Sequence, residues 1–342
     1  MNLALQKLVA ISAIGFALLW LHNPLLGNDA TDETVPNAGQ QQRVSFWIDL
    51  YRGEPLTFGT MLEDLAEAQV VYVGERHRIV RHHEVQARLV KELAAKDIPL
   101  VVGLEQLETF QQPIVDRFNR GELDFDQLAK EAAWGKRWNN YEQYRPILEA
   151  AQKAGAPVLA LNARAEVVRK VFRGGGVDKL AKEDRSQLPK KMQLDDPTYT
   201  KLLRMILMVH MAVEEDTLRA MAEAQISRDE TMAQTIADFL KSKRGKGRTA
   251  IVICGSGHVN YGLGIPDRIR SRMPGVQDRI IIMSESGDVE LTPEEQAQAR
   301  EVHISHEQLK SLGRQYADYL YVTSLKEEED STGEKSKEKA DD

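Results

Sequence analysis

The chain alternates short, continuously apolar runs with longer segments in which apolar residues recur at helical spacing. The runs are rich in β-branched residues, and two of them end at glycine, which is typical of strands buried on both faces of a sheet. Their alternation with helical segments indicates a parallel sheet. Strands are predicted at 70–73, 99–104, 158–161, 249–254, 279–283 and 317–322, and helices at 82–96, 200–211 and 218–240.

The predicted fold class is therefore α/β, a three-layer α/β/α arrangement with a mainly parallel sheet and a small helical subdomain. Strand patterns are absent between residues 162 and 241, and the segment 110–149 is also helical in pattern. We expect these helices to lie over the carboxyl edge of the sheet. One α/β domain is predicted over 43–324, with helical insertions at about 110–150 and 178–240.

The two ends of the chain differ from this domain. Residues 1–26 hold one lysine and an apolar stretch of about signal-peptide length, which predicts a signal peptide or an uncleaved membrane anchor. A polar linker follows at 27–42, and a disordered charged tail is predicted at 325–342. The protein is thus expected to be exported to the periplasm or cell envelope and to meet the membrane only through its N-terminal segment.

Charge and cysteine content exclude several partners and sites. The net charge is -7, but the segment from Lys326 to Asp342 holds eight acids and four bases, which leaves a net charge of -3 for the rest. No basic run with interleaved aromatic residues is present, so nucleic acid is not expected as a partner. Cys254 is the only cysteine, which excludes an intramolecular disulfide and covalent attachment of c-type haem.

One short pattern, Gly-x-x-His, occurs twice, about 180 residues apart, and each copy directly follows a predicted strand. The copies begin at Gly74 and Gly255 and end at His77 and His258. In open α/β sheets ligands bind outside the carboxyl ends of the strands. The two histidines are therefore predicted to face one site.

Other polar side chains also follow the predicted strands, and loop geometry alone does not require them. Convergent polar groups at a strand-end rim are the default hypothesis for a site. The residues at these ends are Glu75 and His77, Glu105, Asn162 and Arg164, and His258 and Asn260.

Two chemistries suit this rim, and the sequence leaves both open. His77, His258, Glu75 and Glu105 could hold a divalent metal such as zinc, manganese or iron. Alternatively, one histidine acts as a general base with a glutamate as its partner, and no metal is needed.

Further candidates lie on helices and in an aromatic cluster. His83 lies on the predicted helix that follows the first motif. Gln225 and Arg228 interrupt an apolar helical stripe, where polar groups require partners. One dense aromatic cluster is present and could cover a flat apolar ligand; it consists of Trp134, Trp138, Tyr141 and Tyr144 with Pro146. Taken alone, these aromatic residues slightly favour ordinary packing of a helical hairpin.

Taken together, these motifs resemble the ChaN-like family of haem-binding proteins, within the superfamily of Tiki, TraB and erythromycin esterase proteins. The matching motifs are Gly-Glu-x-His with His83 and Gln86, Gly103-Leu104-Glu105, the segment 138–146, Leu161-Asn162, Gln225 with Arg228-Asp229, and Gly255-x-Gly257-His258. The resemblance extends over about residues 46–322.

The resemblance implies a haem-binding protein involved in haem or iron handling, with homodimerisation possible in such proteins. The implied iron ligands are Tyr144, Tyr141 or His77, and Arg76 or Arg164 would lie near the propionates. The basic loop with Arg76 would equally suit another small anionic ligand. The alternative from the wider superfamily is a metal-dependent hydrolase or peptidase that uses Glu75, His77, Glu105 and His258.

Overall fold

The computed structural model describes residues 45–208, 214–286 and 305–324. The predicted segments 1–26, 27–42 and 325–342 lie outside these described residues. The strands are β1 (Ser45–Asp49), β2 (Glu54–Leu56), β3 (Val70–Glu75), β4 (Leu100–Glu108), β5 (Val158–Asn162), β6 (Thr249–Gly255), β7 (Asp278–Ser286) and β8 (Tyr319–Ser324). In the described residues they form one sheet in the spatial order β2-β1-β8-β7-β3-β6-β4-β5.

The helices fall between these strands, as the alternating pattern predicts. They are α1 (Phe58–Leu65), α2 (Val80–Ala95), α3 (Gln112–Asn119), α4 (Phe125–Glu131), α5 (Arg145–Lys153), α6 (Ala165–Gly174), α7 (Lys182–Arg185), α8 (Pro197–Met208), α9 (Glu215–Lys241), α10 (Ile265–Arg272) and α11 (His306–Lys310). Within the described part of the chain, none of them combines the length and the apolar character needed to cross a membrane.

The sheet is parallel from β8 to β5, and only β1 and β2 run antiparallel to their neighbours. Helices cover both faces of the parallel part. Alternate side chains of β3 enter the two layers: Val71 and Val73 pack on the face that α2 and α5 cover, and Val70 and Tyr72 pack on the face that α9 and α10 cover. The α/β prediction with a mainly parallel sheet is confirmed.

Strand β4 extends four residues beyond its predicted end at 104. Its register with β5 is irregular between Leu104 and Glu108, and the polar residues Glu105 and Gln106 lie inside this irregular stretch. Both are almost fully buried, at 3% and 2% exposure. Charged and polar residues are typical of a loop, so the sequence predicts that the strand ends before them. Hydrogen bonds of Glu105 and Gln106 with neighbouring elements allow the strand to continue.

The edge strand β5 is protected by side chains rather than by another strand. The Gln112 amide accepts from the Ala160 N–H at 2.7 Å and donates to the Val158 carbonyl at 3.3 Å. The Asn119 amide accepts from the Val158 N–H at 2.7 Å and donates to its carbonyl at 2.9 Å. These amides of α3 replace a neighbouring strand, which blocks edge-to-edge pairing.

Candidate functional site

The two Gly-x-x-His loops lie side by side because β3 and β6 are neighbours, with Glu75 paired to Gly255. Each glycine leaves room for the other loop. A Cβ atom on Gly74 would lie 3.1 Å from the Ser256 Cα, and one on Gly255 would lie 2.8 Å from the His77 Nε2. Both glycines are therefore required by close packing between the loops, since a side chain at either position would push the other loop away.

Glu75 is the centre of the first cluster, on the α2 face of the sheet, and it is 1% exposed. Gln86 donates to its Oε2 at 2.6 Å and Gln106 donates to its Oε1 at 3.0 Å. The His77 Nδ1 donates to Oε1 at 2.8 Å, and the Tyr144 hydroxyl donates to the same oxygen. A carboxylate that accepts so many hydrogen bonds remains ionised although it is buried.

His83 adds a second imidazole to this cluster. Its Nε2 lies 3.4 Å from the Glu75 Oε2, and its ring packs 4.4 Å from the Tyr144 ring. Burial raises the pKa of Glu75, but hydrogen bonds and charge from His77 and His83 outweigh it and hold this pKa well below its usual range. Burial in turn lowers the pKa of His77, but the negative charges of Glu105 and Glu75 raise it above its ordinary value.

His258 is the centre of the second cluster, on the α9 face of the sheet. Its Nδ1 donates to Asp229 Oδ1 at 2.5 Å, and its Nε2 donates to Glu105 Oε1 at 3.1 Å. The Gln225 amide lies 3.0 Å from the same Nδ1, and the Tyr199 hydroxyl donates to Asp229 Oδ2 at 2.7 Å. Because both ring nitrogens face carboxylates, this histidine is a buried imidazolium.

The charges of this second cluster stabilise one another. Burial lowers the pKa of His258, but the negative charges of Glu105 and Asp229 outweigh it and raise this pKa to about 10. Burial raises the pKa of Glu105, but His258, His77 and the Gly255 N–H, which donates at 2.7 Å, bring it down to about 2.

The sequence predicts one rim, but the structure contains two carboxylate–imidazole clusters on opposite faces of the sheet edge, joined at His77. This ring bonds to Glu75, packs on Gly255 and is held in part by the charge of Glu105. The side chain of His77 is 24% exposed, whereas that of His258 is 8% exposed. His77 is therefore the member of the paired motifs that solvent reaches most easily.

A surface strip leads away from His77, and we call Phe110, Arg137, Trp138 and Arg164, together with His77, the rim strip. The Trp138 ring meets the His77 ring edge-on at 4.9 Å. Phe110 is 45% exposed, and the guanidinium carbons of Arg137 and Arg164 lie 5.0 and 5.1 Å from its ring centre. An apolar ring flanked by two cations is thus presented to solvent.

Carboxylates hold the arginines of the rim strip in place. Arg137 donates to both oxygens of Glu108, at 2.6 and 2.7 Å, and to both oxygens of Glu166, at 3.0 and 2.8 Å. Arg164 donates to Glu166 at 3.3 Å and keeps 46% of its side chain exposed. Arg164 is thus the more available of the two cations for a further anion.

Two predicted tyrosines occupy different places. Tyr144 is fully buried with its hydroxyl on Glu75, and burial raises its pKa well above the ordinary value, so it does not present its oxygen to a surface ligand. Tyr141 is half-buried and stacks 6.2 Å from the Phe125 ring. The expectation that Tyr144 ligates a haem iron does not fit this buried contact.

The other predicted residues lie around the clusters. Asn162 ends β5 and is 3% exposed, and its amide oxygen has no hydrogen-bond partner among the described residues. Arg228 lies half-buried one helix turn from Gln225 and makes no hydrogen bond or ion pair with a described residue. Burial lowers the pKa of Arg76 to about 10, and its backbone N–H donates to the His82 ring at 3.1 Å.

The predicted metal ligands do not form a metal-binding set. His258 directs both ring nitrogens at carboxylates and has no free lone pair, and His77 uses its Nδ1 on Glu75. Over 45–208, 214–286 and 305–324, no group of three or more histidine, cysteine or acidic side chains is placed to hold a metal ion. The donors are arranged as proton-sharing pairs rather than around a common centre.

Sequence reasoning missed several residues of the site. Gln106 carried a usable signal, because it is a polar residue inside an otherwise apolar run beside Glu105. Phe110 and Arg137 carried none, since their contact depends on how the segment after β4 folds back. Tyr199 likewise reaches Asp229 only through the packing of α8 on α9.

Comparisons with known proteins agree with this fold. Residues 61–269, more than half of the chain, match the family model described as haem-binding uptake, Tiki superfamily, ChaN. The structure titled as cofacial haem binding to ChaN of Campylobacter jejuni is 18% identical, with a TM-score of 0.60, over 83% of this chain and 98% of that one. This likeness shows the fold. No curated protein matches the sequence.

Two more distant structures also match. An erythromycin esterase variant in its open conformation is 10% identical, with a TM-score of 0.41, over 70% of this chain and 77% of that one. A Bacillus cereus protein is 13% identical, with a TM-score of 0.42, over 78% of this chain and 91% of that one.

Alanine substitutions at the two motif glycines should have different effects, because the added methyl groups meet different neighbours. Gly74→Ala brings a Cβ to 2.8 Å from the Ile282 Cδ1 and 3.1 Å from the Ser256 backbone, so we expect a loss of about 1–3 kcal/mol in urea unfolding. In Gly255→Ala the added methyl group would contact the His77 ring, a side chain that can move. We therefore expect a smaller loss of unfolding free energy and a displaced imidazole, detected as changed His77 chemical shifts.

Gly59→Ala is the matched control, since its nearest atom lies 3.8 Å away and it stands in helix α1. It should leave His77 unchanged and should not lower the free energy of unfolding, because Ala restricts the unfolded chain more than Gly and fits this helical position. Equal stability of the Gly74 and Gly59 variants would contradict the close packing of the loops.

The His258 imidazolium makes stability depend on pH. Its pKa is raised from 6.5 to about 10, so its contribution is complete below about pH 6.5 and is lost as pH rises through 10. Within this window unfolding free energy should fall by at most about 1.4 kcal/mol per pH unit from this group. We expect His258→Gln to flatten the measured slope.

Ring nitrogen NMR provides the direct check, because both nitrogens of His258 should remain protonated at pH 8. A neutral ring there, together with an unchanged slope in His258→Gln, would refute the imidazolium assignment.

Proposed function

The chain belongs to the ChaN family of haem-binding uptake proteins in the Tiki superfamily, and we propose that it binds haem on the rim strip. The observation that carries this proposal is the exposed Phe110 ring, which lies between the guanidinium groups of Arg137 and Arg164. Arg137 directly precedes Trp138, which contacts His77. An apolar surface flanked by cations is complementary to a flat apolar ligand that carries carboxylates at its edge.

Each part of haem has a counterpart in the strip. Phe110 and Trp138 offer ring surface to the macrocycle, whose burial against them would remove apolar area from water. Arg164 keeps nearly half of its side chain exposed and can bind a propionate through its planar fork of donors. Arg137 is fixed by Glu108 and Glu166, so it contributes positive charge and orientation.

We assign the iron ligand to His77. Its Nδ1 donates to Glu75, which leaves the lone pair on Nε2. Because Nε2 lies against Gly255, iron binding would require the ring to turn outward. A carboxylate behind a ligating histidine fixes its tautomer and increases its basicity. The raised pKa of His77 means that protons compete with iron for Nε2, so haem affinity should weaken as pH falls. Tyr141, at the outer side of the aromatic cluster, is the second candidate.

Phe110 and the Arg164 side chain are 45% and 46% exposed, so a macrocycle that lies on them would keep one face uncovered. A second copy of the chain could cover that face, so we propose a haem-linked homodimer. An exported location in the periplasm or cell envelope, N-terminal anchoring and a role in haem or iron handling complete the proposal. They rest on the N-terminal sequence pattern and on the family.

Titration of the purified protein with haemin tests the assignment. We expect a saturable shift of the Soret band. We expect His77→Ala to change the band position and weaken binding by about 10-fold or more, since even the loss of a residue that only supports a metal ligand costs about 10–100-fold. Arg164→Gln should keep the band position and weaken binding by about tenfold, the effect of losing one charged hydrogen bond.

Tyr141→Phe is the matched control and should leave both band and affinity unchanged. An unaltered spectrum in His77→Ala with a changed spectrum in Tyr141→Phe would transfer the ligand to Tyr141. No Soret shift in the wild-type protein would refute haem binding altogether.

A further inference from the structure

A groove separate from the rim strip lies between helix α2 and strand β8. It has a volume of about 250 Å³ and is lined by Arg81, Glu84, Val85, Arg88 and Tyr321. These α2 residues recur at intervals of three and four, so they share one face of the helix. His83 and Gln86, which contact Glu75, lie on the opposite face.

The two arginines of the groove are held in place without a carboxylate. The Arg81 Nη1 donates to the Thr323 Oγ1 at 2.9 Å, and the Arg88 guanidinium carbon lies 3.9 Å above the centre of the Phe58 ring. Among the described residues, neither arginine has a carboxylate oxygen within ion-pair distance. Their positions are therefore set by a hydroxyl and by an aromatic face.

The aromatic floor of the groove is buried and packed against other rings. The Tyr321 ring packs 4.7 Å from the Trp47 ring, which in turn packs 5.7 Å from Phe58. Tyr321 and Trp47 are 5% and 7% exposed. Because Phe58 supports Arg88, part of the entropy cost of ordering this long side chain has already been met in the free protein.

Glu84 lies close enough in the helix to pair with either arginine of the groove. It stands three residues after Arg81 and four before Arg88, and a glutamate four residues before a cation is the favoured helical pair. No such pair forms among the described residues, although Arg137 and Arg279 elsewhere bind carboxylates through two nitrogens each. The guanidinium forks of the groove are left with donors available.

We propose that this groove binds a small oxyanion, a phosphate or carboxylate group carried on a short apolar or aromatic body. Arg81 and Arg88 provide fork-shaped donors for the anionic group, as guanidinium groups do for phosphates and carboxylates. Val85 and the Tyr321 ring line the wall and floor that contact the body. The groove is smaller than the roughly 300–1,000 Å³ typical of drug-sized ligands, which makes it too small for haem.

Calorimetric titration of the full chain at low ionic strength, with phenyl phosphate and with benzoate as separate probes, tests the proposal. Binding of either probe is expected, and the one that binds more tightly identifies the phosphoryl or carboxylate source. Arg81→Gln and Arg88→Gln should each weaken binding by about tenfold, the effect of losing one charged hydrogen bond.

Lys91→Gln is the matched control, because it removes one positive charge from the same helix outside the groove lining. It should leave the affinity within about twofold, since a charge exposed to solvent is largely screened. Chemical shifts of the Val85 methyl groups give a second readout that locates the probe. Haemin should not displace the probe, which separates this site from the rim strip.

The proposal is overturned if neither probe binds at roughly 10 mM. It is also overturned if Lys91→Gln weakens binding as much as the two groove variants, since that result would mean general attraction to a basic helix. Binding without any shift of the Val85 methyl groups would place the probe elsewhere and would overturn it as well.

Discussion

The close contact between the two Gly-x-x-His loops is the constraint on which the rest of the site depends. Strands β3 and β6 are neighbours, and each loop occupies space that a side chain on the other loop's glycine would fill. The loops therefore fix each other's position. This contact brings His77, which follows one strand, beside Gly255 of the neighbouring strand. There the negative charges of Glu75 and Glu105, on the two faces of the sheet, raise the pKa of His77.

Charge pairing makes this buried arrangement stable. Isolated carboxylates or imidazolium groups would be costly to bury, but here each buried charge has an opposite charge or several donors in contact. His258 lies between Asp229 and Glu105, and Glu75 accepts from two amides, a hydroxyl and an imidazole. The charged groups are thus paired, although among the described residues both His83 ring nitrogens and the Oε1 atoms of Gln86 and Gln106 accept or donate no hydrogen bond. Of the paired-motif histidines, His77 is the more exposed and continues into the rim strip.

The fold was predictable because it depends on local patterns, whereas the site depends partly on contacts between distant segments. The buried strands and the recurrence of Gly-x-x-His are visible in the sequence and locate the sheet edge. The separation of Glu75 and Glu105 onto opposite faces depends on how β3 and β4 each pair with β6, and on the irregular stretch of β4 between Leu104 and Glu108. Tyr144 gives no sequence signal of its burial, and Phe110 gives none of its two arginines.

The measurement that tests the central claim most directly is paramagnetic NMR of the protein with ferric haem, which broadens the signals of nuclei near the iron. We predict that the His77 ring and the Trp138 indole signals disappear first, while the His258 ring and the Val85 methyl groups remain visible. Broadening centred on another surface, with His77 and Trp138 unaffected, would contradict the account.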